Sequence, residues 1–341
     1  MHSTGRVRIG IIGSGRIGRI HAENLCRYLP EADVVAVTDA IPRVAEICAK
    51  ECGILHVFPD YRLLLEREDI EAVVICSSTE SHGLLIEKAA AAGKHIFCEK
   101  PIALDLKAID TALAAVAQAG VKLQIGFQRR FDPSFRKVHD LVQSGQIGAP
   151  YILRITSRDP EPPPLEYIRN SGGIFLDMTI HDFDMARFLL NDEVEEVFAC
   201  GTVLVDETIG RAGDFDTAVV NLKFRHGALA VIDNCRKSAY GYDQRIEVHG
   251  SRGMVSAGNQ VPDTTITSDT AGIHQPLPLH FFLERYQEAY REEMKSFLSS
   301  ILLDQEPEVT GADGRAPVVM AHAALLSVKE KRPVKLSEVE P

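Results

Sequence analysis

Asp177 and His181 stand four residues apart in GGIFLDMTIHDFDMARFLL, a stretch whose apolar spacing predicts a helix beginning after Gly172-Gly173. A spacing of four puts both side chains on one helical face. A carboxylate beside an imidazole orients the ring and stabilises its protonated form, so the pair suits removal of a hydroxyl proton near neutral pH. Lys100 is the third candidate, in Glu99-Lys100-Pro101, which follows directly on an apolar strand ending at Cys98. The carboxyl edge of such a strand is where ligands bind in open parallel sheets. A lysine there donates to a substrate hydroxyl and stabilises the alkoxide that develops as a hydride leaves its carbon.

These residues need a scaffold, and the first part of the chain supplies one. Val7 to Ile12 is a continuous apolar strand, followed by Gly13-Ser14-Gly15-Arg16-Ile17-Gly18 and a helical pattern from Arg19 to Leu29. This is G-x-G-x-x-G in its strand-to-helix context. Gly13 permits the tight turn, Gly15 lets backbone approach a pyrophosphate, Gly18 allows close packing, and the N–H groups at the helix start, Arg16 and Ile17 among them, hold the anion. A second strand, Asp33 to Thr38, ends at Asp39, 21 residues beyond Gly18. An acidic residue there accepts from the adenosine ribose hydroxyls and favours NAD over NADP, while Arg43 would tolerate a 2′-phosphate and leaves NADP as the weaker alternative. The alternation continues through Ala72–Cys76, a helix over His82–Ala92, Lys94–Cys98, a helix over Asp105–Ala119 and Lys122–Gly126, which predicts an α/β doubly wound parallel sheet, the Rossmann arrangement.

With 341 residues, 45% hydrophobic and 25% charged, the chain is long enough for two cores. The balance of 37 basic against 48 acidic residues, a net charge of −11, argues against nucleic acid and anionic membranes as partners. No apolar run approaches about 18 residues and no signal-peptide pattern precedes the first strand, so a cytoplasmic protein is expected. Seven cysteines, Cys26, Cys48, Cys52, Cys76, Cys98, Cys200 and Cys235, lack the paired spacing of a zinc site and read as reduced, mostly buried thiols, with no metal expected.

From about Pro150 the pattern changes. Tyr151–Ser157, Val194–Leu204, Thr217–Phe224, Ala228–Cys235 and Gln244–His249 read as strands separated by turns such as His226-Gly227. They predict a C-terminal α+β domain with a large, mostly antiparallel open sheet, one face covered by the Asp177/His181 helix. The division expected is 1–128 for dinucleotide binding and 129–341 for substrate binding and oligomerisation. A helix over about 315–332, plainest as His322–Glu330, is expected to pack back on the first domain. Gly258–Leu279 reads as part strand, part loop.

GIIGSGRIG, Glu99-Lys100-Pro101, Gly172-Gly173 and the Asp177/His181 stretch together resemble the Gfo/Idh/MocA oxidoreductase family over nearly the entire chain. GFQRRFDPSF (126–135), AYGYDQRIEVHGSRGMV (239–255) and RYQEAYREEMKSFLSSI (285–301) look most like its inositol 2-dehydrogenases, which oxidise myo-inositol to scyllo-inosose with NAD. The resemblance implies a catalytic group of Lys100, Asp177 and His181, with Arg129 and Tyr242 hydrogen-bonding the polyol. It implies that Ser77, Ser78, Thr79, His82 and Glu99 line the dinucleotide beside the glycine loop, His82 starting a helix there rather than doing chemistry. Arg130 reads as an ordinary ion-pair former and Tyr240 as open between the two roles. Asp159 falls where inositol dehydrogenases contact substrate but carry Asn, and a side chain that only accepts reads a different hydroxyl pattern. Another inositol isomer, a pyranose sugar, or an NAD-requiring redox glycosidase are the alternatives that follow. The family's open sheet implies a homo-oligomer, a dimer or tetramer.

Overall fold

The computed structural model describes residues 5–340. These fall into two compact units: the described residues through Phe131 together with Glu288–Ala316, and Asp132–Gln287 together with 317–340.

In the first unit the elements are β1 (Val7–Ile12), α1 (Arg16–Arg27), β2 (Ala32–Thr38), α2 (Pro42–Cys52), β3 (His56–Phe58), α3 (Tyr61–Leu65), β4 (Ala72–Ile75), α4 (Thr79–Ala91), β5 (His95–Glu99), α5 (Leu106–Ala119) and β6 (Leu123–Gly126). The six strands are all parallel, in the order β3-β2-β1-β4-β5-β6. Strand order reverses between β1 and β4, which puts a ligand crevice outside their carboxyl ends. Helices cover both faces of such a sheet, so β4, AVVI, is apolar and buried throughout rather than alternating. On α1, Gly18, His21, Ala22 and Leu25 fall on one buried stripe at helical spacing. One core runs from β1 through Phe97 to Met294, Phe297, Leu298 and Ile301, which belong to a helix 160 or more residues further along the chain.

The second unit comprises α6 (Pro133–Gln143), β7 (Pro150–Arg158), α7 (Leu165–Asn170), α8 (Gly173–Asp177), α9 (Thr179–Leu190), β8 (Val194–Thr202), α10 (Glu207–Arg211), β9 (Thr217–Phe224), β10 (Leu229–Cys235), β11 (Asp243–Gly250) and β12 (Gly253–Ala257). A hairpin of β13 (Thr267–Asp269) and β14 (Gly272–His274) and the short α11 (Phe282–Arg285) follow. The chain continues with α12 (Gln287–Leu302), α13 (Gly311–Glu330) and β15 (Val334–Lys335). The large sheet runs β12-β11-β7-β10-β9-β8-β15, antiparallel except for the β7/β10 pair. Along β9 burial alternates residue by residue, with Ala218, Val220, Leu222 and Phe224 buried, as a sheet with one open face requires. Helix α9 packs on β7 and β10.

Four expectations need correction. The stretch from Gly173 to Leu190 is two helices: Met178 interrupts it, and the His181 N–H donates to the Met178 carbonyl (3.3 Å), three residues back, in the tighter 3₁₀ manner. Asp177 therefore ends α8 and His181 lies in the first turn of α9, flanking a break rather than sharing one regular face. The last helix begins at Gly311, and its residues from Pro317 onward belong with the second unit, where Ser327 Oγ accepts the Ala199 N–H of β8 (3.0 Å). Its buried residues surround it (Val318, Val319, Met320, Ala321, Ala323), so no stripe in the sequence says which body it joins. The division is not a single cut at 128, because the 3₁₀ turn Gln128–Phe131 and Glu288–Ala316 both belong to the first unit, tied there by Arg130 on Asp313 (3.0 Å) and by the Gln124 side chain donating to the Glu293 carbonyl (2.8 Å). Finally, only Cys48 and Cys98 are fully buried, and Cys26 and Cys200 are exposed; all seven thiols are free.

Candidate active site

The glycine loop fits an anion closely. Gly13 holds φ +91°, and a β-carbon there would meet the Ser77 backbone N at 2.5 Å, so the loops after β1 and β4 touch at the point where strand order reverses. A β-carbon at Gly18 would stand 2.1 Å from the Gly13 carbonyl oxygen, which fixes glycine by packing alone. Around Gly15 there is nothing within 4 Å of that position. No side chain caps α1 at Gly15 and no acidic residue lies in its first turn, so the leading N–H groups, with exposed Arg16 and half-buried Ile17, face open space with the positive end of the helix dipole behind them.

Asp39 closes the loop from the side. Its Oδ2 accepts from the Ser14 N–H (2.7 Å) and hydroxyl (3.3 Å), and its Oδ1 accepts from the Ile41 N–H (2.9 Å). A carboxylate offers about four acceptor positions, so one remains for a ribose hydroxyl. Arg43, near the start of α2, is exposed. At the head of α4, Ser77 and Ser81 share a hydroxyl hydrogen bond (2.7 Å), while Ser78 is exposed and Thr79 half-buried. His82 is turned inward: Nδ1 lies 2.8 Å from the Pro101 carbonyl oxygen and Nε2 3.1 Å from that of Ser77. Burial pushes its pKa down, and the ring sits between the β4 loop and the Glu-Lys-Pro turn, one nitrogen against each carbonyl.

Lys100 is half-buried at the end of β5, beside Glu99, whose Oε1 lies 2.7 Å from His21 Nε2. The 3₁₀ turn after β6 carries Arg129 and Arg130, both buried; Arg130 forms an ion pair, as expected, with Asp313, in a buried setting.

In the second unit Asp177 is held from two sides. The Tyr167 hydroxyl donates to Oδ1 (2.8 Å), and Arg236 Nη1 donates to Oδ2 (3.3 Å). Arg236 is fully buried, and its Nη2 lies 3.5 Å from Asp214, which in turn accepts the Ile174 N–H at the start of α8 (2.9 Å). Burial and the Asp177 carboxylate push the Tyr167 hydroxyl well above the ordinary phenol range, so it is a permanent donor at working pH. Behind His181, buried Asn234 donates to Asp182 (2.8 Å) and accepts from Thr179 (2.6 Å), which pins the first turn of α9 to β10. Asp159 is half-buried, just past β7, with its N–H on the Cys235 carbonyl (2.9 Å). Tyr242 is buried and meets Tyr286 edge-on, ring centroids 6.0 Å apart. Tyr240 bridges Arg158 (3.0 Å) and Asp243 (2.6 Å), a structural tie. Tyr167, Arg236 and Asp214 escaped sequence reasoning, since a lone Tyr, Arg and Asp spread over 70 positions make no pattern until the chain is folded.

Residues 7–127 match the family model described as an oxidoreductase family NAD-binding Rossmann fold, and residues 135–256 match the GFO/IDH/MocA C-terminal domain. The myo-inositol 2-dehydrogenase of Thermotoga maritima is 50% identical over 333 residues, covering 98% of this chain and 99% of its own. An inositol 2-dehydrogenase of Rhizobium meliloti is 48% identical over 97% of this chain and 99% of its own. A crystal structure of a probable dehydrogenase from Thermotoga maritima superposes with a TM-score of 0.96 at 50% identity, over 98% of this chain and all of that one. The structure of scyllo-inositol dehydrogenase from Lactobacillus casei with bound NAD(H) and scyllo-inositol has a TM-score of 0.91 at 34% identity, over 97% of this chain and 99% of that one. The glycine loop, the acid at the end of β2 and the open head of α1 are thus those of an NAD-binding Rossmann unit, and the chain belongs to the Gfo/Idh/MocA oxidoreductase family.

Proposed function

We propose that this protein oxidises a ring carbinol of an inositol, myo-inositol first, to the corresponding ketone with NAD. The observation that carries the reading is that near-complete coverage at 50% identity by a myo-inositol 2-dehydrogenase coincides with Lys100, Asp177 and His181 at the ends of their elements. NAD supplies the hydride acceptor. His181 takes the hydroxyl proton and later releases it to solvent. Asp177, its direction set by Tyr167 and Arg236, orients and supports the imidazole. Lys100 donates to the carbinol oxygen and stabilises the charge that develops on it as the C–H bond breaks. Arg129, Asp159 and Tyr242 read the remaining hydroxyls, and Asp159, able only to accept, sets which isomer is preferred.

The test is absorbance at the NADH band with purified protein, NAD and, separately, myo-inositol, scyllo-inositol, D-chiro-inositol and glucose, repeated with NADP. Steady NADH formation fastest with an inositol is expected, with Asp159→Asn reordering the isomers and His181→Ala lowering kcat by about 10²–10⁴. Turnover of His181→Ala within a few-fold of native at every pH would refute the role given to it, and formation of NADH from glucose alone would refute the substrate class. We further expect a dimer or tetramer built on the open sheet face. There Ile152, Val219, Leu229 and Val231 stand exposed, on the same side by strand register.

A further inference from the structure

Behind the Glu99-Lys100-Pro101 turn, and wholly within the first unit, lies a cluster that the chemistry above does not use. His21 on α1 and Glu293 on α12 are fully buried, and Glu99 at the end of β5 is nearly so, its side chain 14% exposed. His21 Nε2 is 2.7 Å from Glu99 Oε1 and 3.8 Å from Glu293 Oε1, and ligand atoms of the three groups all lie within 4.8 Å of one another. Neither carboxyl oxygen of Glu293 has a hydrogen-bond partner, nor does His21 Nδ1. The imidazole is clamped edge-on by Phe97 (centroids 5.1 Å) and Tyr290 (5.7 Å). Glu99 has equally little room, for a β-carbon at Gly126 would come within 3.0 Å of its carboxyl.

We propose that the buried His21–Glu293 pair is a positioning device for Lys100: it fixes the Glu99 side chain, and with it the direction in which the chain leaves β5. This rests on the reading of Lys100 as the residue that meets the reacting oxygen. Glu99 and Lys100 are adjacent, so a shift of the Glu99 backbone carries the Lys100 Cα with it. A displacement near 1 Å at a reacting group costs about 10²-fold in rate.

A proton completes the device. A carboxylate with no partner in a dry site beside a second carboxylate is the expensive form, and burial first, then Glu99, push the Glu293 carboxyl well above the usual carboxylate range. Burial and the neighbouring Glu99 thus favour the neutral acid at Glu293, whose carboxyl faces the same His21 Nε2 that meets Glu99. Two thiols flank the cluster, Cys76 toward Glu293 and Cys98 beside Glu99, and burial pushes the pKa of both well above the ordinary thiol value.

The sign follows from linkage. Unfolded Glu293 ionises near its ordinary pKa, so folding loses stability as pH rises through that value and goes on losing it until the raised folded pKa is reached. Glu293→Gln copies the neutral acid and removes this dependence; Glu293→Leu removes the polar contact as well. We expect Glu293→Gln to keep kcat within about twofold of native at pH 7 and to gain melting temperature over native as pH goes from 6 to 9. We expect Glu293→Leu to lose about tenfold or more in kcat with NAD binding unchanged by titration calorimetry, and its crystal structure to show Lys100 Nζ displaced. Native kcat in Glu293→Leu with Lys100 unmoved, loss of activity in Glu293→Gln equal to that in Glu293→Leu, or loss of native activity to a chelator would each overturn the proposal. Lys100→Met separates the two readings: if it turns over normally, the role of Lys100 has failed, whereas if it is inactive while Glu293→Leu is native, only the positioning device has.

Discussion

Tyr167→Phe removes one oxygen atom, and its expected effect can be worked from the contacts of Asp177. The hydroxyl donates to Asp177 Oδ1 at 2.8 Å, leaving Arg236 Nη1 at 3.3 Å as the other hold on the carboxylate. A hydrogen bond to a charged acceptor contributes about 1.5–3 kcal/mol, and with the Asp177 side chain 12% exposed, the Arg236 contact that remains keeps the loss toward the lower end. The lower end, about 1.5 kcal/mol, corresponds to about a tenfold loss in rate. Tyr167 is 50% exposed as a whole residue, and Phe keeps its ring while removing only the hydroxyl, so global stability should change by no more than about 0.5 kcal/mol. The assay is kcat/KM for the inositol at saturating NAD, beside thermal unfolding of the same preparation. A tenfold loss in kcat/KM at unchanged melting temperature is expected. A rate within twofold of native, or a loss matched by a falling melting temperature, would refute the reasoning that Tyr167 acts by aiming Asp177.

Three further outcomes follow from the geometry. Gly18→Ala puts a methyl 2.1 Å from the Gly13 carbonyl oxygen, backbone that cannot yield cheaply; overpacking of about 1–3 kcal/mol should appear as a lower melting temperature and weaker NAD binding by calorimetry. Val231→Glu places a charge at the middle of the open sheet face and should convert the proposed oligomer to smaller species by light scattering, with the fold by circular dichroism unchanged. Asp69, held by the Arg67 guanidinium and then Arg8, has its pKa lowered to about 2 against an ordinary value near 3.9. Its contribution is present above pH ~4 and lost as pH falls through 2, so the gap in urea stability between native and Asp69→Asn, about 0.5–1 kcal/mol after solvent screening at a 38% exposed side chain, should narrow from pH 6 to pH 3.

The dinucleotide unit could be read from the chain because its signals are local. The strand Val7–Ile12 and its glycine loop lie where the apolar run and the turn residues put them, and Asp105 caps the helix it precedes. In the second unit Thr217–Phe224 was equally plain, as period-two burial is written into its residues. The break at Met178 was not, since the apolar pattern runs on unchanged across it and only the backbone hydrogen bonds change partner. Nor were the holders of Asp177 or the His21–Glu99–Glu293 cluster, which join residues as far apart as 21 and 293 and exist only once β5, α1 and α12 have packed.

The central claim, hydride transfer from an inositol carbon to NAD, is tested most directly with myo-inositol carrying deuterium on the ring carbon to be oxidised. Mass spectrometry of the products should show one deuterium transferred to the reduced nicotinamide for each ketone formed, with a slower turnover than the protiated substrate whenever C–H cleavage limits the rate. Ketone formed without the label in the nicotinamide, or a glycoside cleaved with no net reduced cofactor, would contradict it.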